Sequence, residues 1–282
     1  MKKRVAYQGV RGAYSHLACY NKYPKYEAIA CKSFDETMLL VENTKADVAM
    51  IPMENSTAGR VEEIYRLIPK MKLYIIDEYY QPVNHCLLAL PGTKIEDLKS
   101  VSSHPQALAQ CKTHIEKYNL EARAKFDTAG SAEELIEMQD KTHSAIASSL
   151  AAEIYDLEIL EEGFQDIKNN TTRFLVLSKE YIVPRFEEHQ NYITSILFEV
   201  RNIPAALYKV LGGFATNGVN IIKIESYSGS GTLTLSQFHI DIDGHPDEAN
   251  VKLALEELAY FANSVKMLGT YIPHYLRKTL QA

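Results

Sequence analysis

The sequence predicts an α/β region followed by a smaller βαββαβ unit, and three observations carry that expectation. Short β-rich runs alternate with helical stretches from Arg4 to about Ser178. The charged segment Lys179–Gln190, which contains Pro184, then breaks the pattern, and strand-like alternation resumes at Tyr192. At 282 residues the chain exceeds one typical domain, so the expected organisation is 1–180, a linker over 181–190, and a second unit over 191–282.

In the first region Val5–Tyr7, Val48–Pro52, Leu73–Ile76, His85–Leu90, Ala122–Phe126 and Phe174–Leu177 read as strands. Between them Phe34–Asn43, Val61–Ile68, Gln106–Tyr118 and Ala132–Gln139 place apolar residues at helical spacing, several with Ser, Asp or Thr near the start. A largely parallel sheet is the economical arrangement, as one sheet or as two lobes. In the second unit Tyr192, Thr194, Ile196, Phe198 and Val200 alternate as a strand, and Pro204 opens a helix whose Leu207, Val210, Leu211 and Phe214 share a face. Asn217-Gly218 closes it. Strands Val219–Glu225 and Thr232–Asp243, a helix over Pro246–Ala262 and a strand near Val265–Leu268 complete the ferredoxin-like βαββαβ order.

Composition narrows the function. Hydrophobic residues are 46% and charged residues 23%, with 13 Gly and 10 Pro, which fits a folded chain and not a disordered or fibrous one. A net charge of -6 with no basic run gives no field for a phosphate backbone, so nucleic acid is not an expected partner. Cys19, Cys31, Cys86 and Cys111 form no CxxC pair and the histidines no HExxH, so neither a metal nor another cofactor is expected. MKKRVAYQG leads into polar QGVRG where a signal peptide needs an apolar core, and no 18-residue apolar span occurs. A cytoplasmic protein with reduced thiols and no membrane partner is expected.

Four polar segments carry candidate chemistry, each with a plain structural alternative. Gly9-Val-Arg-Gly12 lies between a strand and a helix, where N–H groups hold an anion or simply turn the chain. Met50–Gly59 runs from an apolar strand into Glu54, Asn55, Ser56 and Thr57, which suits a ligand crevice and equally suits capping of the next helix. Ser102-Ser-His-Pro-Gln106 presents donors to a cleft or is an N-cap with Pro105 at the first helical position. No Gly-x-Ser-x-Gly elbow accompanies it, so nucleophilic hydrolysis is not favoured. In Asn169–Phe174 an arginine at the start of a strand either grips a carboxylate with two parallel bonds or stands solvated on a turn.

Taken together, GVRGAYS (Gly9–Ser15), IPMENSTAGRV (Ile51–Val61), SHPQALAQC (Ser103–Cys111) and NTTRF (Asn170–Phe174) resemble the prephenate dehydratases, in that order and spacing. The βαββαβ unit resembles the ACT regulatory domain fused to them. The resemblance implies a catalytic region of two α/β lobes, like type II periplasmic binding proteins, with Thr172 essential for catalysis. It places Glu54, Asn55, Ser56, Ser103, His104, Gln106, Arg173, Phe174 and the turn Ala13 to Ser15 at the cleft. No chorismate mutase segment precedes Met1, so the likeness is to the monofunctional form. The ACT likeness implies a homodimer or homotetramer with phenylalanine held by Ala205, Ala206 and Leu207, by Asn217, Gly218, Val219 and Asn220, and by Glu225 and Ser226. There the family's Gly-Ala-Leu stands as Ala-Ala-Leu, and its Glu-Ser-Arg-Pro as Glu225-Ser226-Tyr227-Ser228.

The implied reaction turns prephenate into phenylpyruvate, CO2 and water. Aromatisation drives it, so the protein's work is orientation and protonation of a poor leaving group, with no electron sink needed. On this reading Arg173 takes a substrate carboxylate, Thr172 bonds the departing hydroxyl, Glu54 or His104 feeds it a proton, and Phe174 walls the site. Two other readings stay open: the same elimination on arogenate, and a non-catalytic metabolite sensor.

Overall fold

The computed structural model describes residues 2–228 and 236–277. The chain begins β1 (Arg4–Gln8), α1 (Tyr14–Lys22), β2 (Glu27–Cys31), α2 (Phe34–Glu42), β3 (Val48–Asn55), β4 (Gly59–Arg60), α3 (Glu62–Leu67) and β5 (Tyr74–Pro82). It continues β6 (Cys86–Ala89), β7 (Ser100–Ser103), α4 (Pro105–Gln110), α5 (Lys112–Lys117), β8 (Glu121–Ala124), α6 (Thr128–Met138), β9 (His143–Ala147), α7 (Ser149–Tyr155), β10 (Glu158–Glu162) and β11 (Thr171–Ser178). These strands form two sheets, ordered β2-β1-β3-β11-β5 with β4 on β3, and β10-β6-β9-β7-β8.

The expected parallel character holds only in part. β1 pairs parallel with β2 and β3, and β7 with β8 and β9, but β6 runs antiparallel to β9 and β10. β6 is thus the reversed strand of its sheet, and β10, reached from β9 through α7, runs the same way as β9. Val5, Ala6 and Tyr7 of β1 are buried on both faces, as a strand inside a covered sheet requires. β9 is buried at all five positions, so it lacks the alternation that would mark it in the sequence.

Three helices of the first unit start on Ser or Asp caps. Ser33 accepts from Glu36 N at α2, Asp127 from Gly130 N at α6 and Ser148 from Ala151 N at α7. The cap at Asp127 explains why α6 starts before the apolar residues that first marked it. The single helix expected over Gln106–Tyr118 is two, because Cys111 N bonds Leu108 O at 3.2 Å, three residues back, and the ladder breaks there. The strand expected over Ala122–Phe126 stops at Ala124 and leaves Phe126 exposed.

The C-terminal elements are β12 (Ile193–Val200), α8 (Ala206–Thr216), β13 (Ile221–Ser228), β14 (Ser236–Asp243), α9 (Ala249–Phe261) and β15 (Ala262–Tyr271), in the antiparallel order β13-β14-β12-β15. Thr232–Leu235, expected to start a strand, lies outside the described residues. One sheet face packs Ile196, Phe198, Ile240 and Ile242 against Val210 and Phe214 of α8 and Val251 and Leu258 of α9. α8 begins two residues after Pro204, behind Ala205 held at φ 58°. The last strand extends well beyond Val265–Leu268 at both ends.

By packing, the chain divides into two compact units: Met1–Val61 with Tyr80–Phe174, and Glu62–Tyr79 with everything from Leu175 onward.

Candidate active site

The first unit contains the site, which starts where β3 ends beside the start of β11. Ser56 N donates to Thr171 O at 2.9 Å, and Thr171 N to Ser56 Oγ at 3.0 Å, which locks the two strand ends together. Asn55 Oδ1 accepts from Thr57 N at 3.0 Å, Ala58 N at 2.9 Å and Thr57 Oγ1 at 2.7 Å. Two backbone donors on one oxygen forbid reversal of the amide. Asn55 Nδ2 therefore donates to Asn170 Oδ1 at 2.7 Å and to Thr172 Oγ1 at 3.0 Å. Thr172 thus accepts from Asn55 and keeps its own hydroxyl proton to give.

Opposite these strand ends, Gln110 of α4 accepts from Asn170 Nδ2 at 3.2 Å and donates to Thr57 Oγ1 at 3.2 Å. Gln110 Oε1 also lies 2.9 Å from His85 Nε2, and His85 Nδ1 lies 2.9 Å from the Tyr14 hydroxyl. His85 is buried, and burial lowers its pKa against a smaller opposing effect of the Gln110 bond. Burial likewise raises the Tyr14 phenol well above its ordinary value, so both groups are neutral at physiological pH.

These residues bound a cleft of about 460 Å³, lined by Tyr14, Asn55, Arg60, His85, His104, Gln106, Gln110, Asn170 and Thr172 among others. Of the residues expected there, Asn55, His104, Gln106 and Thr172 do line it. His104 also caps α4, its Nδ1 accepting from Gln106 N at 3.2 Å. Ser56 is spent joining the strands. Ser103, the last residue of β7, is fully buried and donates to Ile146 O of β9 at 2.7 Å, so its hydroxyl is spent inside the sheet. Arg173 is 3% exposed and donates to Glu54 Oε1 at 3.0 Å, while Phe174 faces the core. Ala13 precedes α1 and Ser15 lies within it, and the residue between them, Tyr14, lines the cleft.

Gly9–Gly12 turns out to be chain-turning chemistry. Gly9 N donates to Cys31 O at 3.0 Å and Gly12 N to His16 Nδ1 at 3.0 Å, which leaves those donors no anion to hold. Gly12 sits at φ +84°, and a Cβ there would meet Ala151 at 3.0 Å, where Ser148 Oγ also donates to Gly12 O at 2.6 Å.

Sequence reasoning missed Arg60, His85, Gln110 and Asn170, and took the Ala13 to Ser15 turn without singling out Tyr14. Gln110 was within reach, since it follows Gln106 by one helical turn on the same face. His85 is silent in the sequence because its partners lie far along the chain.

In the second unit, Ala205–Leu207 stand at the start of α8 and Asn217–Asn220 beyond its end, and an eleven-residue helix separates them by about 16 Å. Asn217 Nδ2 is spent on Gly213 O and Glu257 Oε1, both at 2.8 Å, and Asn220 Nδ2 on Asp243 Oδ2 at 2.7 Å. Glu225 pairs in register with His239 and Ser226 with Phe238. Among the described residues no three His, Cys, Asp or Glu side chains are grouped to hold a metal ion, and no helix is long and apolar enough to cross a membrane.

A two-sheet α/β unit whose strand ends aim a hydroxyl donor into a polar cleft defines an enzyme acting on a small polar molecule. The family profile of prephenate dehydratase matches residues 5–181, and the chain belongs to that family of decarboxylating dehydratases. It is 41% identical over 268 residues to a bifunctional N-acyl-homoserine lactone acylase/prephenate dehydratase of Komagataeibacter europaeus, covering 95% of each chain. It is 39% identical to arogenate dehydratase 2 of Petunia hybrida, over 95% of this chain and 71% of that one. The structure of prephenate dehydratase from Arthrobacter aurescens in complex with L-Phe superposes with a TM-score of 0.84 at 30% identity, over 95% of this chain and 89% of that one.

Proposed function

We propose that the chain converts prephenate to phenylpyruvate, CO2 and water in the Thr172 cleft, as a step of phenylalanine biosynthesis in the cytoplasm, and that phenylalanine inhibits it. The observation that carries the chemistry is the direction of the Asn55–Thr172 bond. Because Oγ1 accepts from Asn55 Nδ2, the Thr172 proton points to a ligand, and the same donor stabilises the charge that grows on Oγ1 as that proton moves toward the leaving hydroxyl. An alcohol is too weak an acid to act alone, so the proton must be resupplied in concert. His104 is better disposed for this than Glu54. It lines the cleft with Nδ1 occupied as a cap, which leaves Nε2 as the ring nitrogen for proton transfer, whereas Glu54 is engaged by Arg173. Arg60 lines the cleft, and we assign it the substrate carboxylate first given to Arg173, which stands buried behind Glu54 and holds that carboxylate in place.

Arogenate is the second reading, supported by the likeness to the petunia enzyme; the elimination is the same and yields phenylalanine. A pure sensor has no use for a hydroxyl donor so placed. Purified protein given prephenate and arogenate separately, with phenylpyruvate read by its absorbance in alkali and phenylalanine by chromatography, decides among them. Failure to consume either substrate would end the dehydratase reading. The likeness to the bifunctional Komagataeibacter europaeus protein is tested by adding an N-acyl-homoserine lactone to the same protein: release of fatty acid would show a second activity, and its absence a single one.

For regulation we read residues 1–180 as catalytic, 181–190 as linker and 191–282 as an ACT domain that pairs with a second copy. The β13 and β15 edges of its sheet favour pairing. The distance between the two expected contact segments supports a site shared across a twofold axis, since one amino acid cannot bridge both ends of α8. Millimolar phenylalanine should weaken apparent prephenate affinity by about 5- to 150-fold. Unchanged initial rates would remove the effector.

A further inference from the structure

The hydrogen-bonded chain from Thr57 to His85 has one allowed direction. Asn170 Oδ1 is occupied by Asn55 Nδ2, so Asn170 turns Nδ2 to Gln110 Oε1. The Thr57 hydroxyl has given its proton to Asn55 Oδ1, so it accepts from Gln110 Nε2. Both contacts fix Gln110 the same way, with Oε1 as an acceptor. The ring nitrogen 2.9 Å from that oxygen, His85 Nε2, must then carry the hydrogen. In the neutral ring Nδ1 is left without a hydrogen; the Tyr14 hydroxyl 2.9 Å from it donates its one proton to Asn84 O at 2.8 Å, so the tautomer is set from the Gln110 side.

We propose that His85 is a positioning residue: the fixed Gln110 amide selects its Nε2–H tautomer, and that N–H in turn keeps Gln110, Asn170 and Asn55 oriented so that Thr172 retains its proton for the leaving hydroxyl. The opposite tautomer sets a bare Nε2 against Gln110 Oε1. Gln110 can relieve this only by reversing its amide, which brings Nε2 against Asn170 Nδ2 and passes the conflict on to Asn55 and Thr172. The catalytic half of this proposal rests on the dehydratase reading; the tautomer does not.

The test joins spectroscopy to kinetics. With 15N-labelled histidine, the two-bond 1H–15N spectrum of the whole protein should show His85 neutral with Nε2 protonated, and Tyr14→Phe, whose lost proton went to Asn84 O, should keep that tautomer. His85→Leu should lower kcat by about tenfold or more while KM moves less than about threefold. His85→Gln, whose amide N–H can stand where Nε2–H stood, should recover most of that loss. A protonated Nδ1 in the neutral wild-type ring overturns the proposal, as does His85→Gln falling as low as His85→Leu when circular dichroism shows both folded. An expected spectrum without turnover by the wild type overturns the catalytic half and the dehydratase reading together, leaving the tautomer lock standing.

Discussion

The cleft and the sheet face opposite α8 and α9 both bury polar side chains, with different chemistry. From Thr57 through Asn55, Asn170 and Gln110 to His85 the cleft chain is made of amides, a hydroxyl and a neutral ring. On the sheet, Ser195 Oγ donates to Asp241 Oδ1 at 2.5 Å and His239 Nε2 lies 3.1 Å from the same oxygen. In the same unit the fully buried Glu78 is gripped by Arg277 at 2.9 and 2.5 Å and by His274 N at 3.0 Å. Charge holds segments together, because leaving one member alone is costly. Neutral groups fix which atom donates without adding a field against a dianionic substrate. The regions therefore divide the work between holding and aiming.

Breaking the charged side should give the largest effect. Arg277→Ala leaves the Glu78 carboxylate buried without its main partner and should cost about 3 to 5 kcal/mol in urea unfolding. A loss below about 1 kcal/mol would show that the pair does not hold this unit. On the neutral side, Thr172→Ala should lower kcat by about 10²- to 10³-fold with KM nearly unchanged, because the lost bond strengthens only as the hydroxyl departs. Near-normal kcat would move the proton donor elsewhere.

A smaller effect should come from Ser148→Ala, which removes the α7 cap and the bond to Gly12 O, at about 1 to 2 kcal/mol. Cleft kinetics at saturating substrate should change little. The smallest effect near neutrality is that of pH. His16, His85 and His143 are lowered chiefly by burial, so the unfolded chain protonates first as pH falls past about 6.5. Stability is intact above that value and is lost as pH drops toward the lowered folded values. A urea midpoint that rises between pH 7.5 and 5.5 would contradict this sign.

The four motifs were legible because each is a run of neighbours, and the βαββαβ order because its strands and helices keep clear periods. What stayed hidden has a common cause. β9 is buried on both faces, β10 is short, and the break at Cys111 is a backbone event without Gly or Pro to announce it. Arg173 read as a free carboxylate grip because a sequence does not show that Glu54 is beside it. Tyr14, His85 and Gln110 belong to the site through bonds spanning up to 71 residues, for which local spacing has no sign.

The second unit's use of Glu62–Tyr79 also governs how this protein can be dissected. A chain shortened to end near Gln190 would remove Arg277 and His274 while keeping Glu78, and would remove Lys223 and Lys266 while keeping their partners Tyr65 and Met71 O. The C-terminal unit is no detachable cassette. Grafting it onto a relative, or exchanging it for another unit, would have to carry residues 62–79 along with it. Sensitivity to an effector is accordingly a question for point substitutions in the intact chain, such as Glu225→Ala, where a change in inhibition can be separated from a change in stability.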